Sequence, residues 1–366
     1  MEKFLEQLLR LLENGEKCAL CSVIGRSGSV PAPANAKLLV KEDGTIVGTV
    51  GGGALEAEVK GEAQRAISAE RPAVINFDFR AQAFQDSLQI CGGRISLFIE
   101  VIFPTEGEKE FFSKVLQEIH CSHSVVLVTA VESSYRDKPP AGHRLLFNER
   151  GILAGGLTRP EWNERVRETV SGLLEQDDPL YLELENRPED CPELEGFLVE
   201  FIHPAPTLVV FGGGHIGRPL CQLGAMCGFR VVVVDDRAEF SDPERFPEAE
   251  RTIHSDYTSV FDSLQVGTRH FLVSVTRCHA TDRQVIEQAV RYRCAYIGMI
   301  GSRRKIKLVW EQLEKNGVER ALLERVHAPV GLGIRAETPG EIAVSIMAEI
   351  IKTRRKRKPE IRKQKI

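Results

Sequence analysis

Long hydrophobic runs are missing from this sequence. No stretch of its 366 residues approaches the roughly 18 apolar residues that a membrane span needs, so no transmembrane helix is predicted. A secretory signal is missing as well, because charged residues interrupt the apolar positions of the opening stretch, MEKFLEQLLRLLENGEK. Its leucines fall at helical spacing, and Asn14-Gly15 predicts the end of that helix. We therefore expect a cytoplasmic protein without a membrane partner.

A disulfide framework is also absent. The chain has nine cysteines, an odd number without regular spacing, so we expect mostly free thiols. Cys18 and Cys21 form a C-x-x-C pattern, but they lie in KCALCSVIG, which predicts a strand. Residues three apart on a strand point to opposite faces, which favours two buried structural thiols over a redox or zinc pair.

The net charge is small, −4 at pH 7, and it is unevenly distributed. Residues 352–366, KTRRKRKPEIRKQKI, contribute +8, so the remaining chain carries about −12. This basic tail lacks interleaved aromatic residues and belongs to an acidic protein, which argues against a nucleic-acid partner. We expect it to be a solvated and frayed chain end.

Two domains are predicted in addition to the tail. Pro204 and Pro206 flank a short linker, after which strands and helices alternate. We place an N-terminal domain at residues 1–205, a C-terminal domain at 206–352 and the basic tail at 353–366.

The N-terminal domain contains an internal repeat. Residues 37–53, KLLVKEDGTIVGTVGGG, align without gaps with residues 144–160, RLLFNERGILAGGLTRP, at an offset of 107. Each copy continues into a predicted helix and ends in a strand closed by proline. The pattern predicts an α+β domain of two pseudosymmetric β-β-β-α-β units, at 1–104 and 105–205. Asp43-Gly44 and Arg150-Gly151 would form hairpin turns.

The two copies differ in their glycines. The first has Gly51-Gly52-Gly53 before its helix and Cys91-Gly92-Gly93 before its last strand, and the second has neither group. Such glycines let a backbone approach a ligand, and a helix N-terminus favours an anion, which suggests a site; tight turns without a ligand are the alternative. Cys91 lies in a glycine-rich turn, and its pKa would fall if it lies near Arg94 or a helix N-terminus. This makes it a candidate reactive thiol; a small buried apolar residue is the alternative.

The C-terminal domain is predicted to be a Rossmann-like parallel sheet with helices on both faces, which makes the fold class α/β. An apolar strand at 207–211 leads into GGGHIG, which fits G-x-G-x-x-G and precedes a helix. Its glycines would let a pyrophosphate approach the helix N-terminus. An acid at the end of the next strand would accept a hydrogen bond from a ribose, which favours NAD-like ligands over 2′-phosphorylated ones. The residues concerned are Gly212, Gly214, Gly217 and either Asp235 or Asp236.

Three polar loops follow strands of this sheet and are expected to converge on one edge. Two histidines and a carboxylate in these loops are candidate catalytic groups, and cations beside free backbone N–H groups predict an anion site. No set of metal ligands can be assigned from separate loops. The catalytic candidates are His215, His279 and Asp282, and the anion-binding candidates are Arg277, Ser302, Arg303 and Lys305.

Long motifs in both halves match one family. GGGHIG, VDDRAEF, TRCHATD, YIGMIGSRRK and PVGLGIRAETPGEIAVSIMAEI, together with GSVP, GTVGGGALE and CGG, resemble the two domains of the xanthine dehydrogenase accessory factor family (XdhC/CoxI). The resemblance covers nearly the whole chain and adds Glu56 to the candidate cofactor-binding residues. The chain departs from the family at Ala54, where many relatives carry a cysteine. A role that needs two thiols would then require another cysteine, such as Cys278.

The resemblance implies a molybdenum-cofactor chaperone rather than a dehydrogenase. Such a protein would bind the molybdopterin cofactor transiently, support its sulfuration with a cysteine desulfurase as sulfur source, and deliver it to a xanthine dehydrogenase-type molybdenum hydroxylase. We expect a homodimer. The alternative is an NAD-dependent oxidoreductase, in which the Rossmann domain binds NAD or another nucleotide and His279 or His215 acts as acid–base group.

Overall fold

The structure is a computed structural model that describes residues 1–30, 32–79, 92–132, 143–185, 189, 191–355 and 361–366. The chain divides into two compact units, Met1–Pro204 with Pro359–Ile366, and Ala205–Lys358. Within the described residues, no helix combines the length and the apolar composition that crossing a membrane would require.

The first unit is built from two copies of one arrangement. The first copy runs through α1 (Glu2–Glu13), β1 (Cys18–Ser27), β2 (Lys37–Lys41), β3 (Ile46–Thr49), α2 (Gly53–Ala69), β4 (Ala73–Asp78) and β5 (Arg94–Ile102). The second runs through α3 (Glu106–His120), β6 (Val125–Glu132), β7 (His143–Asn148), β8 (Gly151–Leu157), α4 (Pro160–Val170), β9 (Leu180–Glu183) and β10 (Leu194–Ile202).

The two copies share one sheet topology, which confirms the predicted repeat. The strand orders are β3-β2-β1-β5-β4 and β8-β7-β6-β10-β9, with antiparallel neighbours throughout. Each copy has one strand more than predicted, β4 or β9, between its helix and its last strand. Most β4 side chains are partly exposed and β9 has only four residues, so neither shows the buried alternation that identifies a strand in sequence.

Buried ion pairs join the two copies reciprocally. Lys37 on β2 lies 2.9 Å from Glu200 on β10, and Arg144 on β7 lies 2.5 Å from Glu100 on β5. The two cations occupy the same position of the repeat, and so do the two glutamates. All four side chains are at most 10% exposed. Each copy therefore supplies a cation to the other copy's glutamate, and loss of one partner would remove part of the compensation of a buried charge.

The C-x-x-C pair is structural, as predicted. Cys18 packs in the core cluster that contains α1 and Cys21 in the one that contains α2, so the two thiols lie on opposite faces of β1. Both are fully buried and free. Burial raises the pKa of Cys18 to about 12 and also raises that of Cys21, so neither thiol ionises near neutral pH.

The second unit is a Rossmann-like sheet, as predicted. Its elements are β11 (Thr207–Phe211), α5 (Gly217–Met226), β12 (Arg230–Asp235), β13 (Arg251–His254), β14 (His270–Ser274), α6 (His279–Ala289), β15 (Tyr296–Met299), α7 (Arg303–Lys315), α8 (Arg320–Leu323), β16 (Val326–His327) and α9 (Pro339–Arg354). Its strands are all parallel, in the order β13-β12-β11-β14-β15-β16.

Helices cover both faces of this sheet. Val209 and Phe211 of β11 pack in a cluster with residues of α6 and α7, whereas Leu208 and Val210 pack in a second cluster with residues of α5 and α9. Alternate residues of a strand point to opposite faces, so an uninterrupted apolar run such as LVVF identifies a strand that is buried on both.

The basic tail is not frayed over its last residues, contrary to the expectation from its composition. Residues Arg362–Lys365 form β17, which pairs in parallel with β9. Ile361 and Ile366 flank this strand and are 6% and 8% exposed in the apolar clusters of the first unit. The two buried isoleucines and the strand pairing therefore anchor a segment whose charge alone indicates a solvated end.

Candidate functional site

The parallel strands of the second unit bring the polar loops to one edge. β11 lies between β12 and β14 in the sheet, and β15 and β16 lie beyond β14. The loop after each strand therefore opens on the same edge, which is where open α/β sheets bind their ligands. The glycine turn after β11 is flanked by the end of β12 on one side and by the TRCHATD loop on the other.

The three glycines of the G-x-G-x-x-G pattern have three different roles. Gly212 has a φ of +111°, and a Cβ there would lie 2.6 Å from the carbonyl oxygen of Val275, so the turn requires glycine. A Cβ on Gly217 would lie 1.9 Å from the carbonyl oxygen of Gly212, so this glycine lets α5 begin close to the turn. By contrast, a Cβ on Gly214 would meet no described atom within 4 Å. Gly214 is therefore the position whose backbone a ligand can approach.

The carboxylate of Asp235 is committed to holding this turn. It is fully buried at the end of β12 and accepts from the backbone N–H of Gly213 at 2.8 Å. Arg237 donates to it from its own backbone N–H at 3.0 Å and from its side chain at 2.9 and 3.1 Å. Burial alone would raise the pKa of Asp235, but the hydrogen bonds from Arg237 and Gly213 outweigh it and lower the pKa. Of the two acids predicted as ribose acceptors, Asp235 is therefore used inside the protein, and only Asp236 remains a candidate.

The segment after β12 folds back onto the glycine turn. The guanidinium of Arg237 lies 3.6 Å from the ring centroid of Phe240. A Cβ on Gly213 would lie only 1.9 Å from the carbonyl oxygen of Phe240, so the two backbones are in direct contact. This part of the chain lies beside the acid that holds the ribose in a dinucleotide-binding Rossmann domain.

An arginine from the loop after β14 forms an ion pair across the end of β11. Arg277 follows β14 and donates to both oxygens of Asp236, which follows β12, at 3.1 and 2.8 Å. Since β11 lies between these two strands, the ion pair spans the side of the sheet edge where the glycine turn is located. Arg277 is 48% exposed and Asp236 is 23% exposed, so an incoming anion can compete for the guanidinium.

Asp282 stabilises the TRCHATD loop. It is 5% exposed, and its Oδ1 accepts from the hydroxyls of Ser274 and Thr276 at 2.7 and 2.8 Å and from the backbone N–H of Thr276 at 3.2 Å. Burial raises the pKa of this carboxyl. These contacts tie the end of β14 to the first turn of α6, so the geometry gives Asp282 a structural part in the loop that carries the candidate residues.

Cys278 and His279 are exposed where α6 begins. Cys278 is the N-cap residue of α6, and its Sγ lies 3.4 Å from the hydroxyl oxygen of Thr281. The hydroxyl and the backbone N–H of Thr281 lower the pKa of the Cys278 thiol. In the sequence, this thiol is marked only by its position directly before a predicted helix. The sequence analysis predicts Cys91 as the main reactive thiol, and Cys91 lies outside the described residues.

The basic loop lies two strands away from the glycine turn. Ser302 is the N-cap residue of α7, and its hydroxyl oxygen accepts from the backbone N–H of Lys305 at 3.4 Å. Arg303, Arg304 and Lys305 are exposed, and none of them has an ion-pair partner among the described residues. The structure thus places His215 and Arg277 at or beside the glycine turn, and the cations of GSRRK further along the same edge.

A fourth loop at this edge was not predicted. Residues 328–338 follow β16 and carry Ile334, which is 50% exposed, and Arg335, whose φ of +59° is left-handed. The loop is held to α9 because the hydroxyl of Ser345 donates to the carbonyl oxygen of Leu332 at 2.6 Å. The sequence feature that could have indicated this loop is the glycine-rich segment GLGIR after the last strand. A left-handed residue other than glycine is a backbone outlier, and such outliers often mark a functional site.

The glycines of the first unit also share one sheet edge. β1 and β3 end there and β5 begins there, which brings the segments around residues 28, 51–53 and 92–93 to that edge. Gly52 and Gly53 have left-handed φ values of +80° and +62°, and a Cβ on either would meet no described atom within 4 Å. A Cβ on Gly93 would lie 2.5 Å from the carbonyl oxygen of Ser27, so this glycine serves close packing.

Glu56 holds the Gly51-Gly52-Gly53 turn from within. Its Oε1 accepts from the backbone N–H groups of Gly52 and Val50 at 3.0 and 3.2 Å and from the hydroxyl of Thr49. The carboxylate is therefore bound to its own turn, at the N-terminus of α2, where a negative charge is favoured. This geometry gives Glu56 a turn-stabilising part beside open glycines.

Comparisons with known proteins decide the family. The XdhC Rossmann domain matches residues 208–350, and the XdhC and CoxI family matches residues 11–78. The chain belongs to the XdhC and CoxI family. It is 28% identical to a probable xanthine dehydrogenase subunit of Bacillus subtilis, over 97% of this chain and 99% of that protein. It is 23% identical to the molybdenum cofactor insertion chaperone PaoD of Escherichia coli, over 94% of this chain and 85% of that protein.

The fold of this chain is also represented among solved structures. A crystal structure described as a xanthine dehydrogenase from Bacillus halodurans has a TM-score of 0.74 to this chain, with 22% identity and 96% of each chain covered. At this identity the likeness concerns the fold. In this chain the Rossmann motif leaves the backbone of Gly214 open, while the acid at the end of the next strand, Asp235, is used inside the protein.

Proposed function

We propose that this protein binds the molybdenum (molybdopterin) cofactor and serves a xanthine dehydrogenase-type molybdenum hydroxylase as an accessory factor. The observation that carries the proposal is the open backbone of Gly214 at the start of α5, beside a loop that supplies Arg277. This arrangement suits the phosphate of a molybdopterin. The names of the two relatives, a molybdenum cofactor insertion chaperone and a probable xanthine dehydrogenase subunit, support the same assignment.

Two groups of this chain would hold the phosphate. The backbone of Gly214 lies open just before the N-terminus of α5, where the helix dipole favours an anion. Arg277 already binds a carboxylate through both of its terminal nitrogens, and the same fork suits phosphate oxygens. A phosphate at the turn would therefore compete with Asp236 for this guanidinium.

Cys278 is the thiol that we assign to the cofactor. It is exposed at the start of α6, and its lowered pKa increases the thiolate fraction near neutral pH. Thiolates are soft ligands of the kind that metals such as molybdenum accept, and a bound cofactor would supply a molybdenum centre that takes a terminal sulfido ligand. We include sulfuration and delivery in the proposal, with a cysteine desulfurase as sulfur donor and the apo-hydroxylase as recipient. Cys91 keeps its predicted role as a further candidate.

The second candidate function, an NAD-dependent oxidoreductase, has one observation in its favour. Gly212, Gly214 and Gly217 take the three roles of a dinucleotide-binding turn. Against it, both acids at the end of β12 are already engaged within the protein, because Asp235 accepts from Gly213 and Arg237 and Asp236 accepts from Arg277. We therefore expect NAD to bind weakly, as calorimetry with NAD would measure; tight NAD binding would favour the oxidoreductase.

Anaerobic purification tests the proposal. Mass spectrometry and molybdenum analysis should find molybdopterin with the wild-type protein and less of it with Gly214→Ala and Arg277→Gln. Arg283→Gln is the matched control, because Arg283 lies on α6 and pairs with Glu287. Equal retention by all four proteins would overturn the assigned site, and no retention by any of them would overturn the proposed function.

A further inference from the structure

A groove runs along one side of α7. Residues of α7 at helical spacing form one wall, and the segment directly after β16 forms the other. The groove has a volume of about 470 Å³, which is within the range of small-molecule sites. β14 and β15 separate β16 from β11, so the groove is distinct from the glycine turn.

The floor of the groove is apolar and partly aromatic. Trp310, which is partly buried, and Ile306 contribute from α7, and Ala328 and Pro329 contribute from the opposite wall. Indole and proline rings offer flat apolar surfaces, and base–aromatic stacking is the usual way in which proteins hold planar heterocycles. This floor therefore suits a flat ring rather than an extended polar chain.

The charges of the groove are arranged asymmetrically. At one end, Glu314 pairs with Arg320 at 2.9 Å. At the other end, Arg303 is the first residue of α7 and has no ion-pair partner among the described residues. Lys307, one turn further on, is 4.0 Å from Glu311. The end at which α7 begins thus combines a free guanidinium with the positive end of a helix, which selects an anionic group.

We propose that this groove binds a phosphorylated planar heterocycle, with its ring against Trp310 and its phosphate at Arg303. A mononucleotide and a phosphorylated pterin share this chemistry. The inference does not depend on the proposed function, because Gly214 and Arg277 take no part in the groove.

Tryptophan fluorescence tests the proposal directly. The chain has two tryptophans, and Trp162 lies in the first unit. Its indole N–H is buried without a hydrogen-bond partner among the described residues, so Trp162→Phe removes no such bond and leaves Trp310 as the sole reporter. We expect saturable quenching by GMP, by neopterin monophosphate, or by both. The effective probe identifies the ring, and failure of both at millimolar concentration would overturn the proposal.

Matched variants separate the groove from general charge. Arg303→Gln should weaken binding by about tenfold or more, because a charge-assisted hydrogen bond to phosphate is lost. Arg304→Gln removes the same charge from the adjacent position, which does not line the groove, and should leave affinity unchanged. Equal weakening by both variants, or inorganic phosphate that competes as well as GMP does, would show that the ring has no part and would overturn the proposal.

Discussion

Replacing Gly217 by alanine should destabilise the second unit, whereas the same change at Gly214 should not. A Cβ on Gly217 would lie 1.9 Å from the carbonyl oxygen of Gly212, well inside van der Waals contact, and the obstacle is backbone that cannot rotate away. The start of α5 would have to move by more than about 1 Å. Overpacking of this kind costs about 1–3 kcal/mol.

This movement of α5 would also disturb the glycine turn after β11. The backbone N–H of Gly212 donates to the carbonyl oxygen of Val234 at 2.7 Å, and a buried hydrogen bond contributes about 1 kcal/mol. We therefore expect Gly217→Ala to lower the free energy of unfolding by about 3 kcal/mol, or to lower Tm by roughly 6–12 °C for a unit of this size. Gly214→Ala adds its Cβ to open space at a position without positive φ, and should be neutral or stabilising by about 0.4–1 kcal/mol.

The assay must report on one unit, because a protein with two compact units does not unfold as one two-state system. In a Trp162→Phe background, the fluorescence of Trp310 follows the second unit through a urea titration. Equal losses in both variants, or no loss in Gly217→Ala, would refute the assignment of packing to Gly217 and ligand access to Gly214. A stable Gly214→Ala protein is also what makes its cofactor retention interpretable.

Three further predictions concern Asp282, the C-terminal strand and Cys278. Burial raises the pKa of Asp282 above its unfolded value of about 4, so the folded state binds the proton more tightly and the stability from this group is lost as pH rises from about 4 through the folded pKa. In urea titrations at several pH values, Asp282→Asn should lack that part of the decline in stability. Identical declines in the wild-type protein and the variant would contradict this prediction. A chain that ends at residue 360 should lose about 2–4 kcal/mol of stability in the first unit, because two buried isoleucines are removed, and an unchanged urea midpoint would indicate a frayed end after all. Cys278 should be alkylated faster than Cys121, which is also exposed, in peptide mapping near neutral pH, and Thr281→Val should slow the reaction of Cys278; equal rates would refute the lowered pKa.

Much of the architecture follows from periodicity and punctuation in the sequence. The repeat, its hairpins and the main alternation of strands and helices in the second unit were predictable, because buried strands are continuous apolar runs and glycine or proline marks their ends. The short elements β13, α8 and β16 were not predicted. The capping box of α9 is an example of a predicted feature. Thr338 accepts from the backbone N–H of Glu341 at 3.3 Å, and the Glu341 carboxylate accepts from the backbone N–H of Thr338 at 3.0 Å, as TPGE predicts.

Side-chain direction could not be predicted in the same way. Asp235 and Asp236 are adjacent, and the pattern VDDR does not say which carboxylate points into the protein. The answer depends on the tertiary contacts of Gly213 and Arg237, which occupy Asp235. The same reason explains the basic tail, whose charge suggested a frayed end. The tail is ordered because its two isoleucines are buried and because β17 pairs with the edge of β9. That edge exists only in the folded sheet, so the sequence does not reveal it.

The outward-facing carboxylate leads to a last prediction. If an anion at the glycine turn competes with Asp236 for Arg277, then Asp236→Asn should strengthen anion binding, because the guanidinium becomes free. The pair is partly exposed and so contributes at most about 1 kcal/mol, which corresponds to a gain of up to about fivefold.

Calorimetric titration of the cofactor-free protein with pyrophosphate measures this gain. Glu287→Gln is the control, because it removes one negative charge from α6 at a carboxylate that pairs with Arg283 instead. The same gain in both variants would show only a change in overall charge. Weaker binding by Asp236→Asn would show that Asp236 contacts the ligand itself, as the acid of a dinucleotide-binding domain does, and would move the balance toward the oxidoreductase.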